Sequence, residues 1–569
     1  MVKGIKKTAK ILKIFVASIL LVLATIPILL SNSSIQNFIA QSITQELSFR
    51  LNSKVTLGKI EYKLFNSVKL NDLYIQDMEL DTLIYVDETK ANFNLRAILN
   101  GKIIFTGLEF RNLYGNLKVD TTGHTNLDFV IKAFQKPKKK SSSVITYKID
   151  HLKIKNSRFS YSKQNGKPTL NASILNPDSL QISNINADII LHLLRKDTLS
   201  AEIKSLSLRE RSGFTLKKLS TQLQASTKGA KIQFIELLLP ASHLNLTDIE
   251  LKYDSLSDFK HFVEKVKWNA PINNSSISFG DFSAFIPEFK NAYKHVVTLK
   301  GQVSGRISSL RFKKMELKYG KSLSLNADLD LSGLPYINET FIYGQVNELK
   351  ADKRDIQDII SGLTKKPFVL PKELNQLGTV IYKGNISGFL SNLVAYGNLK
   401  TNLGSISTDI LVQLENKLKD LKYNGTVKSN NFELGRLLSN KNLGKASFSF
   451  NTNGIKKTGA AVRGNVKAIV NEIDFNQYVY RDIALDGKYD GTGFDGAIKL
   501  TDDNINADFK GVIDLTKKLP VFDFELDVKG ANPHALHLIK TYPGALLSFS
   551  AKTNMIGNSP DNINGNIVF

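Results

Sequence analysis

The sequence predicts a mainly β protein: one N-terminal transmembrane helix, a short amphipathic helix, and then an elongated series of antiparallel strands with short helices at strand ends. Three observations predict it: strict apolar–polar alternation after residue 54, few segments of helical periodicity, and a long uncharged run near the start. Alternation with a period of two indicates a sheet with one apolar and one wet face, which is typical of antiparallel pairing. At 569 residues, the chain is longer than one core usually serves.

The first thirty residues predict export. Residues 1–13 contain five lysines, and residues 14–30 (IFVASILLVLATIPILL) are uncharged. This run is about 26 Å long as a helix, which is just enough to cross a bilayer. Because the positive charges precede the run, we expect a cytoplasmic N terminus, with the bulk of the chain outside the inner membrane. The anchor residues are Ile14, Phe15, Leu20, Leu21, Leu23, Ile26, Leu29 and Leu30. A cleaved signal peptide is the alternative, but the length of the run favours an anchor.

Residues 31–53 predict an amphipathic helix. Apolar residues recur at three- and four-residue steps, and Ser34 is suited to cap the N terminus. The apolar stripe consists of Ile35, Phe38, Ile39, Ile43, Leu47 and Leu51. Two interpretations stay open: a stalk packed on the first strands, or a helix that closes the membrane end of a longer structure.

The clearest strands lie at residues 322–331, 445–451, 504–514 and 521–529. Each places apolar side chains on one face and mostly polar ones on the other. A breaker from Lys365 to Pro371 divides a first β region, residues 54–364, from a second, residues 365–569. The dipeptides Asn165-Gly166, Asn424-Gly425, Asn453-Gly454, Asp486-Gly487 and Asp490-Gly491 are interpreted as hairpin turns.

A loose internal repeat accompanies these strands. In each copy a strand is followed by a short polar step and one apolar turn, at residues 92–99, 257–263, 352–360, 430–438 and 531–539. The irregular spacing excludes the familiar fixed-period solenoids and suggests one supersecondary unit used repeatedly.

The composition excludes several kinds of chemistry. The chain has no cysteine, so disulfides, thiolate zinc sites, iron–sulfur clusters and cysteine nucleophiles are excluded. The formal net charge is +24, but the lysines are dispersed over polar strand faces rather than clustered with aromatic residues. This pattern disfavours nucleic acid as a partner and fits a solvated exterior that is attracted to anionic head groups.

Three motifs resemble binding sites without the local structure that those sites need. Gly491, Gly493 and Gly496 match a dinucleotide fingerprint, but an alternating strand follows instead of a helix. Asp328 and Asp330 have calcium-loop spacing inside a strand pattern. His534 and His537 lack the glutamate of a zinc helix motif. We therefore expect no enzyme: no catalytic residues, no metal site and no cofactor.

Strands with one apolar and one polar face must bury the apolar face. They could pack into closed sandwiches or curl into an open trough that acyl chains occupy. Alternation alone does not separate these arrangements, and patterning by itself favours closed sandwiches. The candidate lining residues share the apolar face of the clearest strands; they are Leu323, Leu325, Leu329, Leu331, Phe448, Phe450, Phe522, Phe524 and Leu526.

The whole chain resembles the AsmA/TamB family, in particular the N-terminal region of translocation and assembly module proteins of the TamB type. The resemblance lies in the basic start and anchor and in four phrases: LSFRLNSKVTLGKIEYKLFNSVKLNDLYIQD, DTLIYVDETKANFNLRAILNGKIIFTGLEF, YKIDHLKIKNSRFSYSKQNG and GNISGFLSNLVAYGNLKTNLGSISTDI. It implies an AsmA-like β-groove (a β-taco) in a Gram-negative periplasm, and a chain that continues beyond residue 569.

The resemblance also implies a function. The leading expectation is a groove that conducts membrane phospholipid between the inner and outer membranes and supports outer-membrane biogenesis. The alternatives are an assembly or secretion factor for outer-membrane proteins and autotransporters, working with an outer-membrane barrel partner, and a structural periplasmic scaffold.

Overall fold

The computed structural model describes residues 18, 32–63, 66–94, 96–97, 102–134, 146–166, 172–194, 197–290, 295–364, 367–370, 372–415, 420–457, 459–559 and 562–569. Apart from Ser18, the predicted cytoplasmic segment and anchor, residues 1–30, lie outside the described residues. Within those ranges, no helix is both long and apolar enough to cross a bilayer.

The chain divides into two compact units. Unit 1 comprises Met1–Ser257 and Asn273–Asn291, and unit 2 comprises Asp258–Ile272 and Ala292–Phe569. The predicted module boundary at residue 365 lies inside unit 2 and stays a prediction.

Unit 1 is built on one meandering sheet. Its strands are β1 (Val55–Thr56), β2 (Lys59–Lys63), β3 (Ser67–Gln76), β4 (Thr82–Phe93), β5 (Lys102–Val119), β6 (Thr146–Ile149), β7 (His151–Lys163), β8 (Ser179–Leu194), β9 (Thr198–Glu210), β10 (Thr215–Ser226), β11 (Gly229–Leu238) and β12 (His243–Lys252). Its helices are α1 (Ser33–Leu51), α2 (Asp128–Phe134) and the 3₁₀ turns Phe279–Phe282 and Pro287–Phe289. A 3₁₀ turn (Leu256–His261) and β13 (Lys267–Ile277) have residues in both units, and α3 (Phe262–Lys265) lies in unit 2.

Unit 2 continues with sixteen strands. They are β14 (Val297–Arg306), β15 (Ser309–Tyr319), β16 (Leu323–Ser332), β17 (Phe341–Ala351), β18 (Val380–Phe389), β19 (Asn392–Thr401), β20 (Gly404–Glu415), β21 (Asp420–Phe432), β22 (Leu443–Lys456), β23 (Val462–Phe475), β24 (Tyr478–Asp490), β25 (Gly493–Asp502), β26 (Ile505–Asp514), β27 (Val521–Ala531), β28 (Leu547–Ile556) and β29 (Asn564–Val568). Its other helices are α4 (Lys353–Thr364), α5 (Leu434–Leu438) and the 3₁₀ turns Ile337–Glu339 and Lys372–Leu377.

The prediction of a mainly β, largely antiparallel architecture is confirmed. In unit 2 each strand from β14 to β29 pairs antiparallel with the next. Unit 1 has one exception: β5 pairs parallel with β6 and β7. The chain can return in the same direction because the connection between β5 and β6 is long and contains α2.

Three of the five predicted turn dipeptides were wrong. Asn424-Gly425, Asn453-Gly454 and Asp486-Gly487 lie inside β21, β22 and β24, whereas Asn165-Gly166 and Asp490-Gly491 are at strand ends. Glycine at those three places is explained by crowding rather than by a turn. A Cβ at Gly425 would lie 2.1 Å from the Asp409 carbonyl oxygen, and one at Gly454 would lie 2.5 Å from the Tyr423 hydroxyl.

The helix predicted near residues 31–53 forms as α1, but two details differ. Its N-cap is Asn32, whose side chain accepts a hydrogen bond from the Ser34 backbone N–H at 2.9 Å, and not Ser34 as predicted. The predicted stripe is also not one packed face, because Phe38 is 71% exposed and Ile43 is 42% exposed. A periodicity argument identifies apolar positions but does not identify which of them the neighbouring sheet covers.

Candidate functional site

The candidate site is the apolar face of the unit 2 sheet. Cross-strand pairing links one residue from every strand, β14 to β29, into a continuous row that we call the Phe524 row. Its members are Val303, Phe312, Leu329, Gly344, Ile386, Ala395, Ile410, Gly425, Thr452, Val466, Gly487, Gly496, Gly511, Phe524, Thr553 and Ile567. Fifteen steps of about 4.8 Å make a path of about 70 Å along this row.

Parallel rows lie two residues away along each strand. The Phe450 row runs through Val427, Phe450, Ala468, Leu485, Ile498, Phe509, Leu526 and Ala551. Beyond it, the Phe448 row runs through Leu317, Leu325, Leu349, Tyr382, Leu399, Ile406, Ser429, Phe448, Val470, Ile483, Leu500, Ala507, Val528 and Phe549. On the other side, the Phe522 row runs through Leu310, Leu331, Ile342, Gly388, Leu393, Val412, Tyr423, Gly454, Gly464, Tyr489, Phe494, Ile513, Phe522 and Met555.

Eight of the nine predicted lining residues fall in these four rows, and the ninth, Leu323, precedes Leu325 on the same face of β16. The structure therefore aligns residues from β16, β22 and β27 on one face of the same sheet, although the three strands are not neighbours. None of the residues in the four rows is Asp, Glu, Lys or Arg. Unit 1 has a comparable row of its own, which runs through Ile60, Leu70, Thr89, Phe110, Ile154, Ala187, Leu206, Leu219, Leu237 and Leu244.

The opposite, polar face carries the charges. Cross-strand ion pairs join Lys313 to Asp328 at 2.8 Å, Arg311 to Asp330 at 2.9 Å and Lys552 to Glu525 at 2.7 Å. The hydrogen bond from Lys313 and another from the Lys314 backbone lower the pKa of Asp328. Asp328 and Asp330, which have calcium-loop spacing, are thus bound to cations of the neighbouring strand.

Most side chains of the four rows are half-buried, but some are buried, among them Val303 at 1%, Thr553 at 3% and Val528 at 5% exposure. All nine predicted lining residues have intermediate exposure. In β25 the alternation is regular: Phe494, Ile498 and Leu500 are half-buried, and Asp495 and Lys499 are exposed. The half-buried residues keep part of their surface accessible, whereas the cluster of Ala327, Val346 and Tyr382 is buried as completely as the inner residues of a closed sandwich.

Buried side chains lie both within the sheet, as at Val303 and Ala327, and along one line of strand ends. Three strands that run in the same direction, β17, β21 and β27, are each followed by a short connecting segment: α4, α5 and residues 532–539. These segments therefore lie along the same line of strand ends, which we call the helical edge. Phe432 and Leu536 are buried there, at 2% and 0% exposure. Leu536 packs in a cluster with Val528 and Ala531, against which Leu526 also packs. The segment 532–539 is formed by turns and not by the predicted helix.

The other edge exposes apolar side chains at the strand ends. Phe341 and Phe389 are 41% and 39% exposed, and their rings contact each other edge to face with centroids 5.4 Å apart. Val462, Leu515, Leu519 and Ile556 are also exposed along this edge. The apolar face is therefore bordered by α4, α5 and the turns of segment 532–539 on one side and by accessible apolar groups on the other.

Glycines in the rows make room for aromatic rings of neighbouring strands. The Phe494 ring lies over Gly487 and Gly496, so a Cβ on either glycine would come within 3.0 Å of it. Further along, Tyr423 and Tyr489 cover Gly454 and Gly464, and their hydroxyls are hydrogen-bonded to each other. Burial and the bond with Tyr489 raise the pKa of the Tyr423 hydroxyl. Thr452 continues this chain: its Oγ1 is 3.1 Å from the Tyr489 hydroxyl and donates to the Asn465 carbonyl at 2.9 Å.

Two buried carboxylates were not identified as special from the sequence. Asp502, the last residue of β25, is 7% exposed and accepts bonds from the Tyr478 hydroxyl and the Arg481 backbone N–H. Asp355 in α4 is 4% exposed and accepts from both the backbone and the hydroxyl of Ser322. Only the register of the sheet brings these partners together, so no local pattern could have predicted them.

Two polar clusters were considered as metal sites. Asp77, Glu79 and Asp81 have carboxylate oxygens within 4.8 Å of one another, but the Lys118 ammonium is bonded to both Glu79 and Asp81. His534 and His537 line a cavity of about 890 Å³ together with Lys441 and Lys540. In each arrangement a lysine ammonium lies beside the candidate ligands, so a metal ion would have to compete with it.

Searches against protein-family models, curated proteins and solved structures find no match for this chain.

Proposed function

We propose that the apolar face of unit 2 solvates the acyl chains of phospholipid, and that the protein, held in the inner membrane by residues 14–30, passes phospholipid between the two membranes of the envelope. The observation that supports it is the set of continuous, uncharged rows, in which most side chains keep part of their surface accessible. Apolar surface left in water costs about 25 cal/mol per Å². Acyl chains lying on this face would relieve that cost without any chemical step.

The bordering residues fit the same role. A phospholipid has a charged head group, which is expensive to remove from water. The edge with Phe341 and Phe389 lets a head group stay in solvent while its tails lie on the apolar face. The apolar side chains exposed along this edge suit passage of the tails.

The proposal is tested by comparing neighbouring positions of β26. A photoreactive p-benzoylphenylalanine is incorporated in cells in place of Phe509, which is half-buried on the apolar face, or in place of Lys510, which is exposed on the polar face. After irradiation, the full chain is purified and analysed by mass spectrometry. We expect phospholipid adducts at position 509 and at least tenfold fewer at position 510. Equal labelling, or none at 509, contradicts the proposal.

The same experiment bears on the alternative, a factor that assembles outer-membrane proteins by strand addition. In that case lipid adducts would be missing at Phe509.

A further inference from the structure

Helix α1 has two exposed aromatic side chains on one face. Phe38 is 71% exposed and Phe49 is 85% exposed. They are eleven residues apart, and at 3.6 residues per turn this spacing brings them within about 20° of each other around the helix axis. Two largely exposed phenylalanines on the same side of a helix are unusual in water, because apolar side chains favour burial.

The opposite face of α1 is the one that packs. Gln36, Ala40 and Leu51 are buried, at 7%, 4% and 3% exposure. At the C-terminal end, the Ser48 hydroxyl accepts a hydrogen bond from the Val55 backbone N–H at 3.1 Å. The buried residues lie about 160–220° around the axis from Phe38. The aromatic face therefore points away from the strands that hold the helix.

The sequence before α1 indicates what this face meets. Residues 14–30 are uncharged and apolar, and only Ser31 and Asn32 separate them from the first helical residue, Ser33. Three extended steps span at most about 10 Å. If residues 14–30 cross the bilayer, α1 must therefore begin within or next to the head-group layer.

We propose that α1 lies along the membrane surface, with Phe38 and Phe49 inserted at the boundary between head groups and acyl chains. Phenylalanine is one of the residues that helices lying on a membrane bury at the boundary between head groups and acyl chains. A helix standing on the membrane as a stalk would instead carry Phe49 about 16 Å further out than Phe38. The proposal rests on the membrane anchor of the proposed function, but not on the lipid path along the apolar face.

The test measures the depth of each position. The single tryptophan, Trp268, is first replaced by phenylalanine, and Phe38→Trp or Phe49→Trp is then introduced into the full chain in phosphatidylcholine vesicles. Lipids brominated on their acyl chains quench indole fluorescence only at short range. We expect at least twofold quenching and a blue-shifted emission at both positions. Tyr396→Trp, at a 62% exposed position in the middle of β19, serves as the solvent reference.

The possible results are distinct. If the indole at position 38 is quenched and the indole at position 49 is not, α1 stands on the membrane as a stalk and the proposal is overturned. Absence of quenching at both positions also overturns it, and shows that water or another protein surface covers this face. Lipid labelling at Phe509, measured separately, shows whether the proposed function fails as well.

Discussion

Leu329 of β16 and Phe524 of β27 lie in the same inter-strand row, although ten strands separate them. The row between them contains only aliphatic residues, glycine and one threonine. A bound acyl chain could therefore move from one end to the other without meeting a charge. Continuity of this kind depends on every intervening strand keeping its register, because a one-residue slip exchanges the two faces.

A single charge should interrupt this continuity. Phe524→Asp or Leu325→Asp places a carboxylate on the apolar face, where no basic partner is available in the neighbouring row positions. Desolvating that charge costs several kcal/mol. We expect phospholipid bound to the purified chain, measured by mass spectrometry, to fall about tenfold, and complementation of a gene deletion to fail.

Matched controls are available on the polar face. Ser324→Asp neighbours Leu325 and pairs with Lys318 and Lys350, and Asn506→Asp lies opposite Lys529. Both should retain bound lipid. Because Leu325 packs against the buried cluster around Ala327, thermal denaturation must show that its variant is folded. Full complementation by both apolar-face variants would show that the lining assignment is wrong.

The glycines of the rows should not tolerate side chains. Gly511 has φ +146°, and a Cβ there would lie 2.3 Å from the Asp523 carbonyl oxygen and 2.4 Å from the Phe524 Cα. We expect Gly511→Val to lower the free energy of unfolding by about 3 kcal/mol, because backbone atoms of β27 must shift. Gly544→Ala, which has no atom within 4 Å of the new Cβ, should change it by less than about 0.5 kcal/mol in chemical denaturation. Equal stability of the two variants would contradict this crowding.

Much of this architecture could be predicted from the sequence. The alternation in residues 521–529 identified both the strand and its apolar face, since a period of two is a local property. Asn453-Gly454 shows where such reasoning failed. The dipeptide is typical of a hairpin, but here the glycine accommodates Tyr423 and Tyr489 from other strands. The space that side chains of neighbouring strands require cannot be predicted before the register of the sheet is known.

The residues of the candidate site could also be predicted only in part from the sequence. Leu325 and Phe450 could be placed on an apolar face from their own segments, but their alignment into rows needs the pairing of all strands between them. Alternation also could not show which side chains of the apolar face are half-buried and which are fully buried. Leu526 and Val528 alternate alike, yet only Val528 is sealed, because the turn with Leu536 covers that end of β27.

Substitutions in segment 532–539 test directly whether this segment covers the end of β27 at the helical edge. Leu536 is fully buried, whereas Leu538 in the same turn is 56% exposed. We expect Leu536→Ala to cost about 3 kcal/mol in unfolding free energy, through lost burial and the cavity left behind. Leu538→Ala should cost less than about 0.5 kcal/mol. Similar losses for the two variants would mean that segment 532–539 does not close this edge.

The hydroxyl pair Tyr423–Tyr489 should act as one unit. Tyr423→Phe and Tyr489→Phe each remove a partly buried hydrogen bond, which is worth about 1 kcal/mol, and the double variant should cost less than the sum. A double-mutant cycle measured by chemical denaturation gives the coupling directly. Tyr396→Phe, at an exposed position without this pairing, is the control. Strict additivity would show that the two hydroxyls do not interact.

Asp355 should make stability depend on acid pH. Burial alone would raise the pKa of this carboxyl, but bonds from the Ser322 backbone at 2.7 Å, the Ser322 hydroxyl at 2.9 Å and the Leu323 backbone at 2.9 Å lower it overall. A carboxyl with a lowered folded-state pKa stabilises the fold above its unfolded-state pKa, and this contribution is lost as the pH falls through the folded value. Asp355→Asn should therefore cost about 2 kcal/mol at neutral pH, and its difference from the parent protein should shrink in acid. Asp508→Asn, at an exposed position, should remain within about 0.5 kcal/mol of the parent at every pH. A constant deficit for Asp355→Asn across the acid range would show that the carboxylate charge does not anchor α4 to the start of β16.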